Sequence, residues 1–185
     1  NYNYQWEQKL IPYWKEINTE AEAAGVKIGI ELHGGFLAHT PYTMLKLRDA
    51  AGKAIGCNLD PSHLWWQGID PVAAVKILGE ADAIHHFHAK DTYLDQDNIN
   101  MHGLTDMQPY SNVKTRAWTF RSVGCGHSLQ VWSDIISALR IYGYDYVLSI
   151  EHEDPIMSVD EGLNRAITNL KSIMIKEEPS AMWWV

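Results

Sequence analysis

The sequence has few cysteines, fewer basic than acidic residues and no long apolar run, and each of these features excludes a class of protein. Its two cysteines, Cys57 and Cys125, are far apart and lie outside any CxxC or zinc-finger spacing, which argues against a disulfide framework or a structural zinc site. The formal net charge of −8, with no basic patch, disfavours binding to nucleic acid or to an acidic membrane surface. No run approaches the roughly 20 apolar residues that span a bilayer. These absences indicate a cytoplasmic protein with reduced cysteines.

The composition is that of a globular domain. The chain has 185 residues, of which 46% are hydrophobic and 21% charged, so it can bury one core. We predict a single domain over residues 1–185, in which residues 177–185 form a frayed tail or a segment that docks on a partner. Because the sequence begins with Asn1 and not Met, we expect it to be part of a longer translation product.

A unit of helix, glycine, apolar strand and polar strand end recurs along the chain. Glycines recur every 27 residues at Gly25, Gly52 and Gly79, each at the predicted end of a helix. This period predicts consecutive βα units and therefore a parallel sheet in an α/β fold. The predicted strands are 26–32, 54–59, the run that contains His88, and 145–150. The predicted helices are 6–24, 40–52, 70–79, one through 131–139, and one after Ser158. The last of these helices has Leu163, Ile167, Leu170 and Met174 on its apolar side.

A long insertion delays the fourth unit. It extends from Asp91 to about Gly126 and is rich in Asp, Asn, Thr and Gly. Loops of this length inside a compact domain are usually lids or binding loops, so we predict that role for it.

Each predicted strand ends near a residue that can bind a metal. Glu31, Asp60, His88 and Glu151 lie at the carboxyl ends of the four strands, where parallel α/β folds build their sites. Converging carboxylates repel one another unless a cation lies between them. Three carboxylates and one imidazole suit Mn²⁺ or Mg²⁺, although Co²⁺ or Zn²⁺ would also bind. Two alternatives stay open: Asp60 caps the following helix, and His88 is a buried, hydrogen-bonded histidine.

Three histidines occupy four positions around His88. Alternation along a strand places His86 and His88 on one face and His85 on the other. We expect only His88 to bind metal, with His86 packed in the interior and His85 facing the helix layer.

Five sequence runs follow one another in order along the chain: IELH at 30–33, NLDPSHLWWQG at 58–68, HFHAKD at 86–91, FRSVGCG at 120–126 and LSIEHED at 148–154. These runs resemble the xylose isomerase-like TIM-barrel superfamily, and they are most similar to its sugar phosphate isomerase/epimerase branch. The resemblance extends from about residue 26 to residue 175 and implies the parallel (β/α) units of a TIM barrel.

The resemblance implies a metal site and a reaction. In this family the ligands are a Glu, an Asp, a His and a Glu on the last four barrel strands, which correspond to Glu31, Asp60, His88 and Glu151. Glu31 and Glu151 would also be the catalytic acid/base pair, which removes and returns a proton next to a carbonyl through an enediolate. The implied cofactor is a divalent metal, foremost Mn²⁺.

The resemblance also implies residues that bind the substrate. His63 and Arg121 would stabilise developing oxyanion charge. Lys90 could instead pair with Asp91, and Trp65 could pack in the core instead of stacking on a sugar ring. The candidates are His63, Arg121, Lys90, His33 and Trp65.

Three functions remain open at this point. The first is an isomerase or epimerase of a keto sugar, sugar phosphate or cyclitol. The second is a lyase or dehydratase of a keto-sugar derivative, because enolisation followed by loss of a β-substituent uses the same metal and base. The third is a non-catalytic metal- or sugar-binding module. In each case the partner is a small carbohydrate.

The predicted strands make only half a barrel. A TIM barrel has eight strands, whereas the sequence predicts four. Four strands would leave two unpaired edges and would expose the inside of the barrel. We therefore expect either self-association that closes the sheet or an N-terminal half-barrel that this sequence lacks.

Overall fold

Four parallel strands form one sheet, and their order across the sheet is the same as their order along the chain. The computed structural model describes residues 1–185. Its elements in chain order are α1 (Tyr2–Gln5), a π-helical segment (Trp6–Leu10), α2 (Ile11–Ala24), β1 (Ile28–Glu31), α3 (Pro41–Ala51), β2 (Ile55–Leu59), α4 (Pro61–Trp65), α5 (Pro71–Glu80), β3 (Ile84–Ala89), β4 (Asp91–Leu94), α6 (Gln96–His102), β5 (Trp118–Arg121), α7 (Leu129–Ile141), β6 (Leu148–Ile150) and α8 (Val159–Ile173). The sheet order is β1-β2-β3-β6, and every pairing in it is parallel. The prediction of an α/β fold with four parallel strands of a partial TIM barrel is confirmed.

Local sequence signals set most helix boundaries. α2 ends at Gly25, whose φ of 65° lies in the left-handed region that glycine adopts freely. Thr40 and Thr43 form a reciprocal capping box at the start of α3, because the side-chain oxygen of each accepts a hydrogen bond from the backbone N–H of the other. Gly79, however, does not end α5; glycine is needed there because a Cβ would lie 2.5 Å from the Cβ of Tyr142. No helix is long and apolar enough to span a membrane.

The helices cover one face of the sheet and leave the other face open. On β3, Phe87 belongs to the core under the helices and is fully buried, whereas His86 and His88 on the opposite face are only partly buried. His85 faces the helix layer as predicted, with its Nδ1 3.0 Å from the carbonyl oxygen of Ile28. The expectation that His86 is packed in the interior is wrong, because no other strand of the chain covers this face.

The insertion between residues 91 and 126 contains a two-stranded ribbon and a short helix, with an irregular segment over residues 103–117. β4 and β5 pair antiparallel, with Asp91 opposite Arg121. Aromatic residues of β5 form a second, smaller core. The ribbon contacts α4 through a hydrogen bond of 2.9 Å, which the hydroxyl of Thr92 donates to the carbonyl oxygen of Ser62. This part of the fold escaped the sequence prediction because it depends on pairing between strands that are far apart in sequence.

The C-terminal helix is more exposed than its sequence pattern predicts. Ser158 caps α8 as expected, and Leu170 is buried. Ile167 and Met174, both on the predicted apolar side, are 39% and 43% exposed. Residues 177–185 form no helix or strand and are exposed.

Candidate metal centre

The four predicted ligands meet at the carboxyl end of the sheet. Glu31 is the last residue of β1, Asp60 and Glu151 directly follow β2 and β6, and His88 lies near the end of β3. One donor atom from each side chain lies within 4.8 Å of the others. The Nδ1 of His88 is central, at 3.1 Å from Glu31 Oε1, 3.4 Å from Glu151 Oε2 and 3.9 Å from Asp60 Oδ2. This cluster is small enough for a single metal ion to be shared by all four side chains.

Asp60 caps a helix through one oxygen and leaves its other oxygen facing the cluster, so it is positioned for both roles that the sequence left as alternatives. Its Oδ1 accepts a hydrogen bond of 2.8 Å from the backbone N–H of Ser62 and so caps α4. Its Oδ2 is buried without a hydrogen-bond partner, and the Nζ of Lys90 lies 3.3 Å away outside hydrogen-bond geometry. Burial raises the pKa of Asp60 to about 7, although Lys90 and Ser62 act in the opposite direction. A buried carboxylate oxygen without a partner is costly unless a ligand satisfies it, so this atom fits a metal ion.

The pKa values of His88 and Glu31 move in opposite directions. The hydrogen bond between them raises the pKa of His88 and lowers the pKa of Glu31, in both cases against the effect of burial. Nearby carboxylates, including Asp60 and Glu151, raise the pKa of His88 further. Metal binding requires the neutral imidazole and the ionised carboxylates, so it would release protons from this cluster and be favoured as pH rises.

Lys90 places a positive charge beside the cluster. Its side chain is 2% exposed, and its Nζ lies 2.6 Å from Glu151 Oε2 and 2.8 Å from Glu153 Oε2. Burial would lower the pKa of Lys90, but Asp60, Glu151 and Glu153 outweigh this effect and raise it. The alternative that Lys90 pairs with Asp91 is wrong, because the Asp91 carboxylate binds the loop before α7 instead.

His63 is held as a neutral hydrogen-bond donor. The indole N–H of Trp66 donates to its Nδ1 at 3.3 Å, which assigns the imidazole proton to Nε2. That Nε2 faces Asp60 Oδ2 at 3.7 Å and Glu31 Oε2 at 3.9 Å. Burial lowers the pKa of His63 to about 3, and the charge of Lys90 acts in the same direction. A neutral His63 can donate a hydrogen bond to an oxyanion but cannot neutralise its charge.

A cavity of about 460 Å³ opens beside the cluster. Its wall includes the acidic residues Glu31, Glu151 and Glu153 and the aromatic residues Tyr110 and Phe120. The two aromatic rings stack with 5.9 Å between their centroids. Small-molecule sites commonly have this size and combine an apolar surface with a few convergent polar groups. The cavity therefore has the dimensions and lining to bind a small polar molecule next to the cluster.

Three of the five predicted substrate-binding residues line this cavity. Those three are His33, His63 and Lys90. Trp65 is buried instead, and its ring stacks on that of His127 with 3.9 Å between centroids, so it packs the core. Arg121 is paired through its Nε with Asp154 Oδ2 at 3.0 Å and lies outside the cavity wall. The structure therefore does not bring Trp65 or Arg121 to the cluster.

Sequence reasoning missed several residues of the cavity and its surroundings. Glu153 could have been found, because it lies two positions after Glu151 and extended backbone places both side chains on one side. Tyr110 and Phe120 gave no comparable signal, since they reach the cavity only through the pairing of β4 with β5. The sequence offered Trp66, like Trp65, as a residue that could stack on a sugar ring; in the structure its indole N–H donates to His63.

One sequence family and one curated protein match most of the chain. The family described as xylose isomerase-like TIM barrel matches residues 1–173. The protein YfiH of Bacillus subtilis strain 168, which is described as uncharacterized, is 42% identical over 170 residues; these residues are 91% of this chain and 54% of that protein. The chain therefore spans about half the length of the curated relative that it matches.

Solved structures share the fold at lower sequence identity. A xylose isomerase domain protein from Planctomyces limnophilus has a TM-score of 0.59 and 20% identity, over 90% of this chain and 52% of its own. The probable 3-DHS dehydratase AsbF from Bacillus anthracis has a TM-score of 0.63 and 19% identity, over 87% of this chain and 55% of its own. An L-ribulose 3-epimerase has a TM-score of 0.53 and 20% identity, over 92% of this chain and 47% of its own. The family match and the shared half-barrel show that this chain belongs to the xylose isomerase-like TIM-barrel family.

Proposed function

We propose that this protein is a divalent-metal-dependent isomerase or epimerase that moves a proton next to the carbonyl of a keto sugar or cyclitol. The observation that carries the proposal is the cluster of Glu31, Asp60, His88 and Glu151, in which one buried carboxylate oxygen accepts no hydrogen bond, beside a cavity of suitable size. Membership of the family supports it, and one protein of similar structure is named an L-ribulose 3-epimerase.

The four clustered residues would hold one metal ion. Their three carboxylates and single imidazole suit Mn²⁺, which we propose as the cofactor, while Mg²⁺, Co²⁺ and Zn²⁺ are compatible with the same donors. When bound, the ion would polarise the substrate carbonyl and stabilise the negative charge that develops on its oxygen. The ligands come from four adjacent strand ends, so the sheet itself holds them in position.

Glu31 and Glu151 would transfer the proton. They are supplied by β1 and β6, the two edge strands of the sheet, and His88 lies between them. One carboxylate would remove the proton bound to the carbon next to the carbonyl, and the other would return a proton from the other side. Removal on one face and return on the other inverts that carbon, which is the outcome of an epimerase.

His63, Lys90 and His33 would bind oxygens of the sugar. The neutral His63 has its Nε2–H available on the cluster side, and the ammonium of Lys90 lies in the cavity wall. Tyr110 and Phe120 would contact the apolar C–H groups of the sugar, since aromatic rings supply large apolar surfaces. This proposal assigns no substrate contact to Arg121 or Trp65.

Solvent deuterium exchange tests the proposed reaction. We expect the purified protein, with Mn²⁺ in D₂O, to introduce deuterium next to the carbonyl of a ketohexose or cyclitol ketone and to form an epimer or isomer. NMR spectroscopy and mass spectrometry measure both events. Exchange with an eliminated product would instead select a lyase or dehydratase, the class named for AsbF. Metal binding without any exchange would contradict the enzymatic proposal and would favour the alternative of a non-catalytic metal- or sugar-binding module.

The open face of the sheet leads to a proposal about assembly. We propose that residues 1–185 form one half-barrel domain and that two copies associate to cover the inner face; in a longer protein, an N-terminal half-barrel would cover the same face. β1 and β6 each pair on one side, and His86 and His88 on the inner face are only partly buried. Light scattering is expected to give a mass of at least twice 21.1 kDa for the 185-residue chain. A monomer at micromolar concentration would rule out self-association.

A further inference from the structure

The ammonium group of Lys90 lies beside the proposed metal centre and contacts three carboxylates. Its Nζ is within 3.3 Å of one oxygen of each, those of Asp60, Glu151 and Glu153. Building on the function proposed above, we infer that Lys90 competes with the metal ion for carboxylates of the cluster. In the same inference, Glu153 is a positioning residue that weakens this competition, because it gives the ammonium group a partner outside the cluster.

The two oxygens that Lys90 shares with the cluster also face His88. Glu151 Oε2 is 2.6 Å from Lys90 Nζ and 3.4 Å from His88 Nδ1. Asp60 Oδ2 is 3.3 Å from the same ammonium nitrogen and 3.9 Å from the same imidazole nitrogen. A metal ion held by the four clustered side chains would depend on these carboxylates too. Since two cations repel each other strongly at short range, Lys90 opposes the binding of the ion.

The surroundings of Lys90 hold its side chain in place. It is 2% exposed, and its Nζ lies 4.5 Å from the centre of the Phe120 ring. An aromatic face attracts an ammonium group, and a buried charge needs partners that offset its lost hydration. The positive charge therefore stays beside the cluster when an ion binds, instead of turning out to solvent.

Glu153 differs from the other two partners of Lys90 because it lies outside the cluster. Its Oε2 is 2.8 Å from Lys90 Nζ, and Lys90 is the one cation paired with it. An ion bound by Asp60 and Glu151 would leave this carboxylate to the ammonium group. The Glu153 side chain is 49% exposed, so solvent screens the pair and its effect on metal affinity is modest.

Replacing Lys90 by Met tests the competition. We expect the affinity for Mn²⁺ to rise by about tenfold or more, because a positive charge close to the ion is removed. After treatment with a chelator, the variant should melt at a lower temperature than the native protein, since the buried Asp60 carboxylate loses its nearby cation. Isothermal titration and thermal unfolding measure the two effects, and Lys90→Gln is the second variant if Lys90→Met folds poorly. An affinity for Mn²⁺ at or below the native value in the folded variant would overturn the inference.

Replacing Glu153 by Gln tests the positioning role. We expect the affinity for Mn²⁺ to fall by about two- to fivefold, the size of effect that a partly exposed ion pair has. In the Lys90→Met background the same change should have a smaller effect, since there is no ammonium group for Glu153 to hold. Glu161→Gln, which changes an exposed glutamate that pairs with Arg165, is the matched control and should keep the native affinity. Equal losses in both backgrounds would show that Glu153 acts only through its charge and would overturn its positioning role.

A failure of this inference is distinguishable from a failure of the proposed function. Affinities for Mn²⁺ that change as expected in the variants, without deuterium exchange by the native protein, would contradict the enzymatic proposal and support the roles of Lys90 and Glu153. Deuterium exchange by the native protein, together with native Mn²⁺ affinity in both single variants, would overturn the inference alone. No binding of Mn²⁺ by the native protein would contradict both.

Discussion

Replacing Glu151 by Gln is expected to lower the rate of solvent deuterium exchange by about 10²–10⁴-fold, the range that a positioned acid/base group contributes. The amide of Gln cannot accept the proton, although it keeps the size of the side chain and one oxygen for the metal. Lys90 also loses its ion pair of 2.6 Å with Glu151 Oε2, but Glu153 still binds its ammonium group at 2.8 Å. The measurement is the exchange rate at saturating Mn²⁺, which separates loss of the base from loss of metal affinity.

Two further variants make the Glu151 prediction specific. Glu161→Gln changes an exposed glutamate of α8 that pairs with Arg165, and we expect it to keep the native rate. Glu153→Gln removes a carboxylate that binds Lys90 without belonging to the four-residue cluster, so its effect should be smaller than that of Glu151→Gln. A native exchange rate in Glu151→Gln would show that this glutamate is not the acid/base group.

Replacing His88 by Ala is expected to reduce the affinity for Mn²⁺ by more than about 100-fold, because loss of an outer-shell partner alone typically costs about 10–100-fold. His88 is the single nitrogen donor of the cluster, and its Nδ1 lies within 4 Å of all three carboxylates. Isothermal titration with Mn²⁺ measures the affinity, and metal analysis of the purified protein provides an independent value.

His86→Ala is the matched control for His88. The two imidazoles lie on the same face of β3, with 5.4 Å between ring centroids, but His86 is outside the cluster. We expect His86→Ala to bind Mn²⁺ with native affinity, and circular dichroism checks that both variants are folded. Equal affinities in the two variants would refute the metal site at His88.

The sequence by itself determined the parallel sheet and the four residues at its carboxyl edge. Regularly spaced glycines, each predicted to end a helix, and apolar runs predict βα units, and parallel strands bring their carboxyl ends to the same edge. The side chains of Glu31, Asp60, His88 and Glu151 therefore meet wherever such a sheet forms, since their places depend on chain order and strand alternation. The nature of the donor atoms, which are mostly carboxylate oxygens, also follows directly from the residue types.

Only the tertiary structure decided what surrounds the cluster. The sequence left Asp60 as either a helix cap or a ligand, whereas in the structure its Oδ1 caps α4 and its Oδ2 faces the cluster without a hydrogen bond. Sequence proximity suggested that Lys90 pairs with Asp91, whereas the fold joins Lys90 to residues more than 60 positions away. The same ribbon that brings Phe120 to the cavity has no local signal in the sequence.

The physical reason for this division is the range of the interactions involved. Helix caps, strand alternation and the order of parallel strands depend on neighbours in sequence or on the repeat of one unit, so the sequence displays them directly. The partner of a buried charge depends on which distant groups share its enclosed space, and many arrangements satisfy the same local pattern. The buried carboxylate of Asp91 is such a case: its N–H donors lie more than 30 residues away, and only the folded loop shows that they converge on it.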